Sequence, residues 1–277
     1  MLNTVKTFLL LAALTALLLV VGYTYLGTVG FVFALVLSLI MNITTYWYSD
    51  TIILSTSNAV EYSLPQYAML NAYVISYCEK LGIPVPKFYL IEDAQPNAFA
   101  TGRDPEHGII CITSGLLKLL TIEELVAVIT HELGHIKNND VLIASIGAVM
   151  AGALSSIANI AYWGSFSSDS RENGSPFGFI VMIFLAPFTA MLLQYAISRS
   201  REFSADEISA RTLGTAQPLI SALTKIHDAH SNTHNVLNKG VAALCIVNPF
   251  SSKEVLELFS THPALEKRIE RLLQIGV

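Results

Sequence analysis

Thr121-Ile122-Glu123-Glu124-Leu125-Val126-Ala127-Val128-Ile129-Thr130-His131-Glu132-Leu133-Gly134-His135 is the stretch on which the reading of this chain turns. Thr121 followed three residues later by Glu124 has the form of a capping box, which predicts that a helix starts here. Four residues advance a helix by slightly more than one turn. The imidazoles of His131 and His135 therefore project from one face at a separation that can share a zinc ion. Glu132 stands beside them as the candidate general base for a water molecule. Ordinary surface residues on a helix are the alternative, and the complete five-residue pattern inside a capped helix argues against it.

A catalytic zinc needs a third protein ligand and one open position. Arg201-Glu202-Phe203-Ser204-Ala205-Asp206 offers a candidate: Glu202 as the ligand, and Asp206, one turn on, as acceptor for the free N–H of a zinc-bound histidine. Two carboxylates at this spacing are, taken alone, more often a solvated helix face. What favours the ligand is its relation to the apolar segments on either side.

Residues 7–49 contain no charged side chain, enough for two spans when one needs about 20 residues. We expect spans near 7–21 and 29–47, with a break between Gly22 and Gly30 and with Tyr46 and Trp47 at the membrane interface. Residues 141–168 and 173–198 are also uncharged and form a second expected hairpin around a Ser- and Gly-containing loop. Two buried helices of a soluble core are the alternative for this pair, and a chain of this size leaves little polar shell to cover them. His135 precedes the second hairpin and Glu202 follows it, so an antiparallel pair of spans returns the carboxylate to the side on which the histidines stand. Apolar residues make up 53% of the chain and charged residues 13%, with a net charge of −5, which leaves no basic surplus for nucleic acid. An N-terminal signal peptide is the competing reading of the first span, but the apolar character resumes at Val29 without a convincing cleavage site. Lys6, Lys137, Arg199 and Arg201 flank one side of the spans, against Arg171 alone on the other, which predicts a cytoplasmic soluble part.

Between the hairpins the pattern predicts a helix over 65–81, short strands over 87–92, 97–101 and 107–113 forming a small meander, and a short helix from Ser114 to Leu120. Helices over 215–230 and 263–275 are expected after the second hairpin, with a polar loop near 231–238 between them. Cys78, Cys111 and Cys245 read as reduced core residues, being odd in number and too far apart for a C-x-x-C site. His227, His230 and His234 share a helical spacing but lack a carboxylate or cysteine partner, so a solvated face explains them better than a second metal site. His107 is expected to open a strand without a further role.

Taken in order, Asn97-Ala98-Phe99-Ala100-Thr101-Gly102, the His131–His135 pattern, the run from Ser198 to Asp206, and Thr261-His262-Pro263 with Arg268 resemble the HtpX-type membrane metalloproteases, relatives of the CAAX prenyl endopeptidases. The resemblance covers nearly the whole chain, with Asn139 a small departure where relatives often carry Arg. It implies one zinc per chain with Glu202 as third ligand, and cleavage of damaged or misfolded membrane proteins at the cytoplasmic face as quality control. It also implies that Asn97, Ala98, Phe99 and Ala100 form an edge strand that pairs with substrate, the alternative being a plain core strand. His262 and Arg268 would act near the developing oxyanion or hold the Asp206 region. Equally open is that His262 caps the helix begun by Pro263 and Arg268 makes a surface pair.

The expected architecture is an α+β membrane protein, mostly helical, with four transmembrane helices and a small β-sheet in a cytoplasmic zincin-like domain. Its divisions are 1–49 (first hairpin), 50–140 (sheet and histidine helix), 141–198 (second hairpin) and 199–277 (third-ligand segment). Expected partners are protein substrates, chiefly membrane proteins, and the lipid bilayer of the cell membrane, with no nucleic acid. The rival functions are a narrow prenyl-protein processing peptidase, and a non-enzymatic membrane protein with a vestigial metal site, which would carry charged residues inside its spans.

Overall fold

The computed structural model describes residues 2–62, 68–150, 199–230 and 263–277. Most of the expected second hairpin, the 231–238 loop, His234, Cys245 and His262 lie outside the described residues.

The first apolar segment is helix α1, Leu2–Thr56, interrupted once, at Gly27, whose φ of 60° and ψ of −140° are open only to glycine. The interruption falls inside the expected Gly22–Gly30 break and folds the chain back on itself. Asn42 Nδ2 donates to Thr15 Oγ1 across the pair at 2.9 Å, and a Cβ on Gly22 or Gly30 would run into the other residue's carbonyl. Both arms are long and apolar enough to cross a membrane (Thr7–Thr24 and Leu26–Thr56). The second arm does not stop at Trp47; helical hydrogen bonding carries it to Thr56, so that Ile53 and Leu54 reach the sheet.

Four strands follow: β1 (Val60–Glu61), β2 (Lys87–Ile91), β3 (Ala98–Thr101) and β4 (Ile109–Thr113), in the order β1-β2-β4-β3. Helix α2 (Ala68–Leu81) lies between β1 and β2. The expected meander is corrected here, because β4 enters between β2 and β3 and runs parallel to β2. Apolar runs and turns give strand positions but not pairing. The pairing is set by Thr113, whose hydroxyl accepts from the Asn97 amide (2.8 Å) and donates to the Gln95 carbonyl (2.8 Å), so the segment leaving β2 is held across the end of β4. His107 is also corrected: it belongs to a 3-10 turn (Pro105–His107) capped by Asp104, and the strand begins two residues later.

Every residue of β3 and β4 is buried, so both faces of the sheet are covered. Phe99, Ile109 and Cys111 face Ile53 and Leu54 of α1, while Ala98, Ala100, Ile110 and Ile112 face the main core. That core is built around α4 (Ile122–Lys137), which follows the short α3 (Ser114–Leu119) and is buried on nearly every side. Its capping box is formed as expected, and the Glu124 carboxylate also accepts from Ser221 Oγ (2.6 Å) and Lys225 Nζ (2.8 Å), tying the start of α4 to a later helix. After α4 the chain turns into α5 (Asp140–Met150). Leu142, Ile146 and Met150 of α5 pack on Leu11 and Leu14 of α1, and Ser145 Oγ bonds Thr101 Oγ1 of β3 at 2.7 Å. The rim beyond β3 is fastened to α1 as well, with the Arg103 guanidinium 5.1 Å from the Trp47 ring centre.

Three further helices complete the described chain: α6 (Arg199–Leu213), α7 (Gln217–His230) and α8 (Leu265–Gln274). Helix α6 lies against α4 at van der Waals distance, because a Cβ on Gly134 would stand 3.2 Å from the Ala205 Cα. Ser209 Oγ donates to the Ala127 carbonyl (2.8 Å) along the same seam. Gly134→Val should push these helices apart and cost about 1–3 kcal/mol. Thermal unfolding of the purified full chain checks this, and an unchanged midpoint would show that the seam is looser than described.

Candidate metal centre

The α4–α6 seam sets the geometry of the site. His131 and His135 leave α4 on the side that meets α6, and Glu202 leaves the first turn of α6 toward them. One ligand atom from each of the three lies within 4.8 Å of the others, and among the described residues no other His/Cys/Asp/Glu cluster has this form. Glu202 Oε2 is 3.7 Å from His131 Nε2, and Oε1 is 3.4 Å from His135 Nε2. A tetrahedral zinc with bonds near 2.0–2.1 Å separates its ligand atoms by about 3.3 Å, so the three groups stand close to the required positions. The two rings are perpendicular with centres 4.8 Å apart.

Charge supports the same fit. Four carboxylates, Glu132, Asp140, Glu202 and Asp206, are each at most 6% exposed. Facing them are two guanidinium groups, from Arg201 and Arg268. The surplus of negative charge in a dry pocket is what a divalent cation would neutralise. Burial alone would pull the His135 ring down, but hydrogen bonds to Asp140 and Glu202, with the charges of Glu202 and Glu132, push it up to about 10. A cation arriving at Nε2 thus replaces a proton.

Glu132 stands outside the three-ligand set. Burial raises its carboxyl above the usual range despite the two histidines nearby, and it accepts a hydrogen bond from the Ala100 amide of β3. Asp206 Oδ1 is 2.9 Å from His131 Nδ1, where the sequence expects an acceptor. Arg268 is 2% exposed and donates to both Asp206 oxygens, from Nε at 2.9 Å and Nη2 at 2.6 Å, so its side chain is in the interior and not in a surface pair. Asn97–Ala100 occupy the sheet edge beside α4. The sequence reading passed over Asp140, whose Oδ2 is 3.2 Å from His135 Nδ1. The signal was present as a carboxylate five residues past the second histidine, at the last position before the apolar run.

A family model described as peptidase family M48 matches residues 66–275. The chain belongs to peptidase family M48. Along nearly its whole length this M48 member is similar to "Protease HtpX homolog" of Sulfurihydrogenibium sp. (strain YO3AOP1), at 43% identity over 100% of this chain and 97% of the relative. "Protease HtpX" of Legionella pneumophila is 44% identical over 98% of this chain and 99% of its own. The "Protease HtpX homolog" of Thermococcus kodakarensis is 46% identical over 98% and 95%. Among solved structures the fold is similar to that of S. mikatae Ste24p, with a TM-score of 0.51 and 18% identity over 98% of this chain and 65% of that one. The family and these relatives mark the chain as a metalloprotease, a hydrolase.

Burial alone would raise the Asp206 carboxyl, but the Arg268 guanidinium, with the hydrogen bonds to His131 and Arg268, holds it below the usual carboxylate range. A depressed folded-state pKa contributes stability that is complete above the unfolded value of about 3.9 and is lost as pH falls through the folded one. Arg268→Leu leaves a buried charge without its partner. It should cost about 3–5 kcal/mol near neutral pH, and the gap to wild type should narrow as pH falls below about 4, where the Asp206 contribution is lost in wild type as well. Denaturant unfolding between about pH 3 and pH 7 reads both effects.

Proposed function

We propose that this M48 peptidase is a membrane-bound zinc endopeptidase that cuts peptide bonds of misfolded or damaged membrane proteins at the cytoplasmic face of the cell membrane, as quality control. One observation carries the reading: two imidazoles and a carboxylate converge in a buried pocket, with a further carboxylate, Glu132, beside them and hydrogen-bonded to an edge strand.

Bound zinc would supply Lewis-acid polarisation of the scissile carbonyl and make a water molecule acidic enough to lose a proton near neutrality. The chain's own residues account for the other requirements. Glu132 takes that proton at its carboxylate and delivers it to the leaving amine, a role suited to a carboxyl whose pKa burial has raised. Asp206, itself gripped by Arg268, fixes His131 through Nδ1.

Strand β3 would align the substrate. The Asn97 carbonyl accepts from the Thr113 amide, so Asn97, Phe99 and Thr101 turn their backbone groups toward β4, by the alternation of an antiparallel pair. Ala98 and Ala100 then turn theirs outward, in keeping with the Ala100 amide reaching Glu132. An extended peptide adding to this edge would bond the Ala98 backbone and the Ala100 carbonyl, with Asn97 and Phe99 holding the strand in place.

Four spans with both termini on the cytoplasmic side complete the proposal. It is supported by the two apolar arms of α1, by α5 entering the uncharged 141–168 segment, and by the excess of Lys and Arg on one side.

Glu132→Gln should retain stoichiometric metal while lowering cleavage of a casein-type substrate by at least about a hundredfold, since it removes the proton carrier alone. Metal analysis and the cleavage assay on one preparation test this, and undiminished cleavage would remove Glu132 from the mechanism. Comparing membranes that hold the active enzyme or Glu132→Gln should reveal membrane proteins accumulating in the latter. For topology, a C-terminal reporter active only in the cytoplasm should be active, and activity of a periplasm-dependent reporter there would invert the orientation.

A further inference from the structure

Helix α4 ends at Lys137, and a helix continued from it would carry residue 140 about 140° around the axis from His135, out of reach of its ring. The chain instead breaks. Asn138 caps α4 with φ −80° and ψ 0°, and Asn139 takes φ +56°, a left-handed conformation that Asn tolerates better than most residues. This corner swings Asp140 back against the helix it has just left, 3.2 Å from His135 Nδ1 and 3% exposed. It is held from two sides. Asn138 Nδ2 donates to Ser204 Oγ (3.1 Å), two residues beyond Glu202, and α5 is seated by Ile146 on α1 and by Ser145 on Thr101. The Arg201 charge acts on both Asp140 and Glu202.

The opposite ring nitrogen, His135 Nε2, faces Glu202 Oε1 at 3.4 Å. A neutral imidazole carries one N–H, and an ionised carboxylate can only accept. An acceptor at Nδ1 draws the hydrogen there and leaves the Nε2 lone pair for a ligand.

We propose that Asp140 is a positioning residue for the metal centre: its carboxylate holds the Nδ1–H of His135, leaves Nε2 as the nitrogen that meets a divalent cation, and ties the orientation of that ring to the seating of α5 on α1. The proposal rests on reading His131, His135 and Glu202 as the metal site. A purely structural role is the competing account, since an acidic residue in the first turn of a helix such as α5 is favoured by the helix dipole.

The test uses the full chain in detergent, stripped of metal and titrated with Co2+ against a chelator of known affinity. Wild type, Asp140→Asn and Glu202→Gln are compared, and the thermal midpoint of each metal-free protein is measured alongside. Asp140→Asn should bind Co2+ about 10- to 100-fold more weakly and alter its visible absorption spectrum. If Asp140 only starts α5, the metal-free midpoint falls while the folded protein keeps wild-type affinity and spectrum. That outcome, with Glu202→Gln impaired, overturns the proposal. Wild-type affinity in Glu202→Gln as well would instead overturn the metal site itself. Should Asp140→Asn not fold, Asp140→Ser, which suits a helix start but has too short an acceptor, is read in its place. A loss of at least about tenfold is expected, and wild-type affinity overturns the proposal.

Discussion

The contact between Gly134 and Ala205 is the constraint on which the rest of the site depends. Two helices approach closely only where neither carries a bulky side chain, and here one glycine and one alanine let α4 and α6 meet within the turn that bears the histidines. Widening that seam by the size of a methyl group would move Glu202 away from both rings by a comparable amount. The Ser209–Ala127 hydrogen bond, one turn further along α6 and two along α4, resists sliding of the helices. Packing thus fixes the separation of ligand groups before any cation is present.

Electrostatics works in the same direction. Carboxylates gathered in a dry interior repel one another, and their burial is tolerable only if cations or hydrogen bonds compensate. Arg268 compensates for one side by gripping Asp206, so that His131 is fixed from behind. The residual negative charge is concentrated where the imidazoles converge.

Much of this was legible in the sequence because the chemistry demands fixed spacing. The capping box at Thr121 and Glu124 and the histidines one turn apart follow from local geometry, and the carboxylate Glu202 follows from its place after the second uncharged pair of segments. The strand positions at Lys87–Ile91 and Ala98–Thr101 were legible too, since alternating apolar residues between turn residues mark them. Their pairing was not. Nothing in a run such as Ile109–Thr113 tells which neighbour it will take, and the Thr113 hydroxyl bonds residues 16 and 18 positions away, contacts that no local pattern displays. Asp140 carries no spacing signal toward His135, because a single left-handed residue at Asn139, which no local pattern announces, decides which side chain faces that ring. Arg268, 62 residues from Asp206, is a contact that only the folded chain makes, although its motif had drawn notice.

The edge strand is joined to the apolar part of the molecule at two points, Thr101 to Ser145 and Arg103 to Trp47. Where α1 and α5 enter a bilayer, these joints leave the strand little freedom to rise or sink. Its height above the lipid is then set by a hydrogen bond and a cation–π contact, and a substrate paired to the strand would be measured against that height. For a substrate paired to that strand, a bond deep in a bilayer would be protected until its segment was drawn out to that level, whereas one in a loop just clear of the surface would already be at the right height. Selection by distance from the lipid would need no recognition of side chains at all.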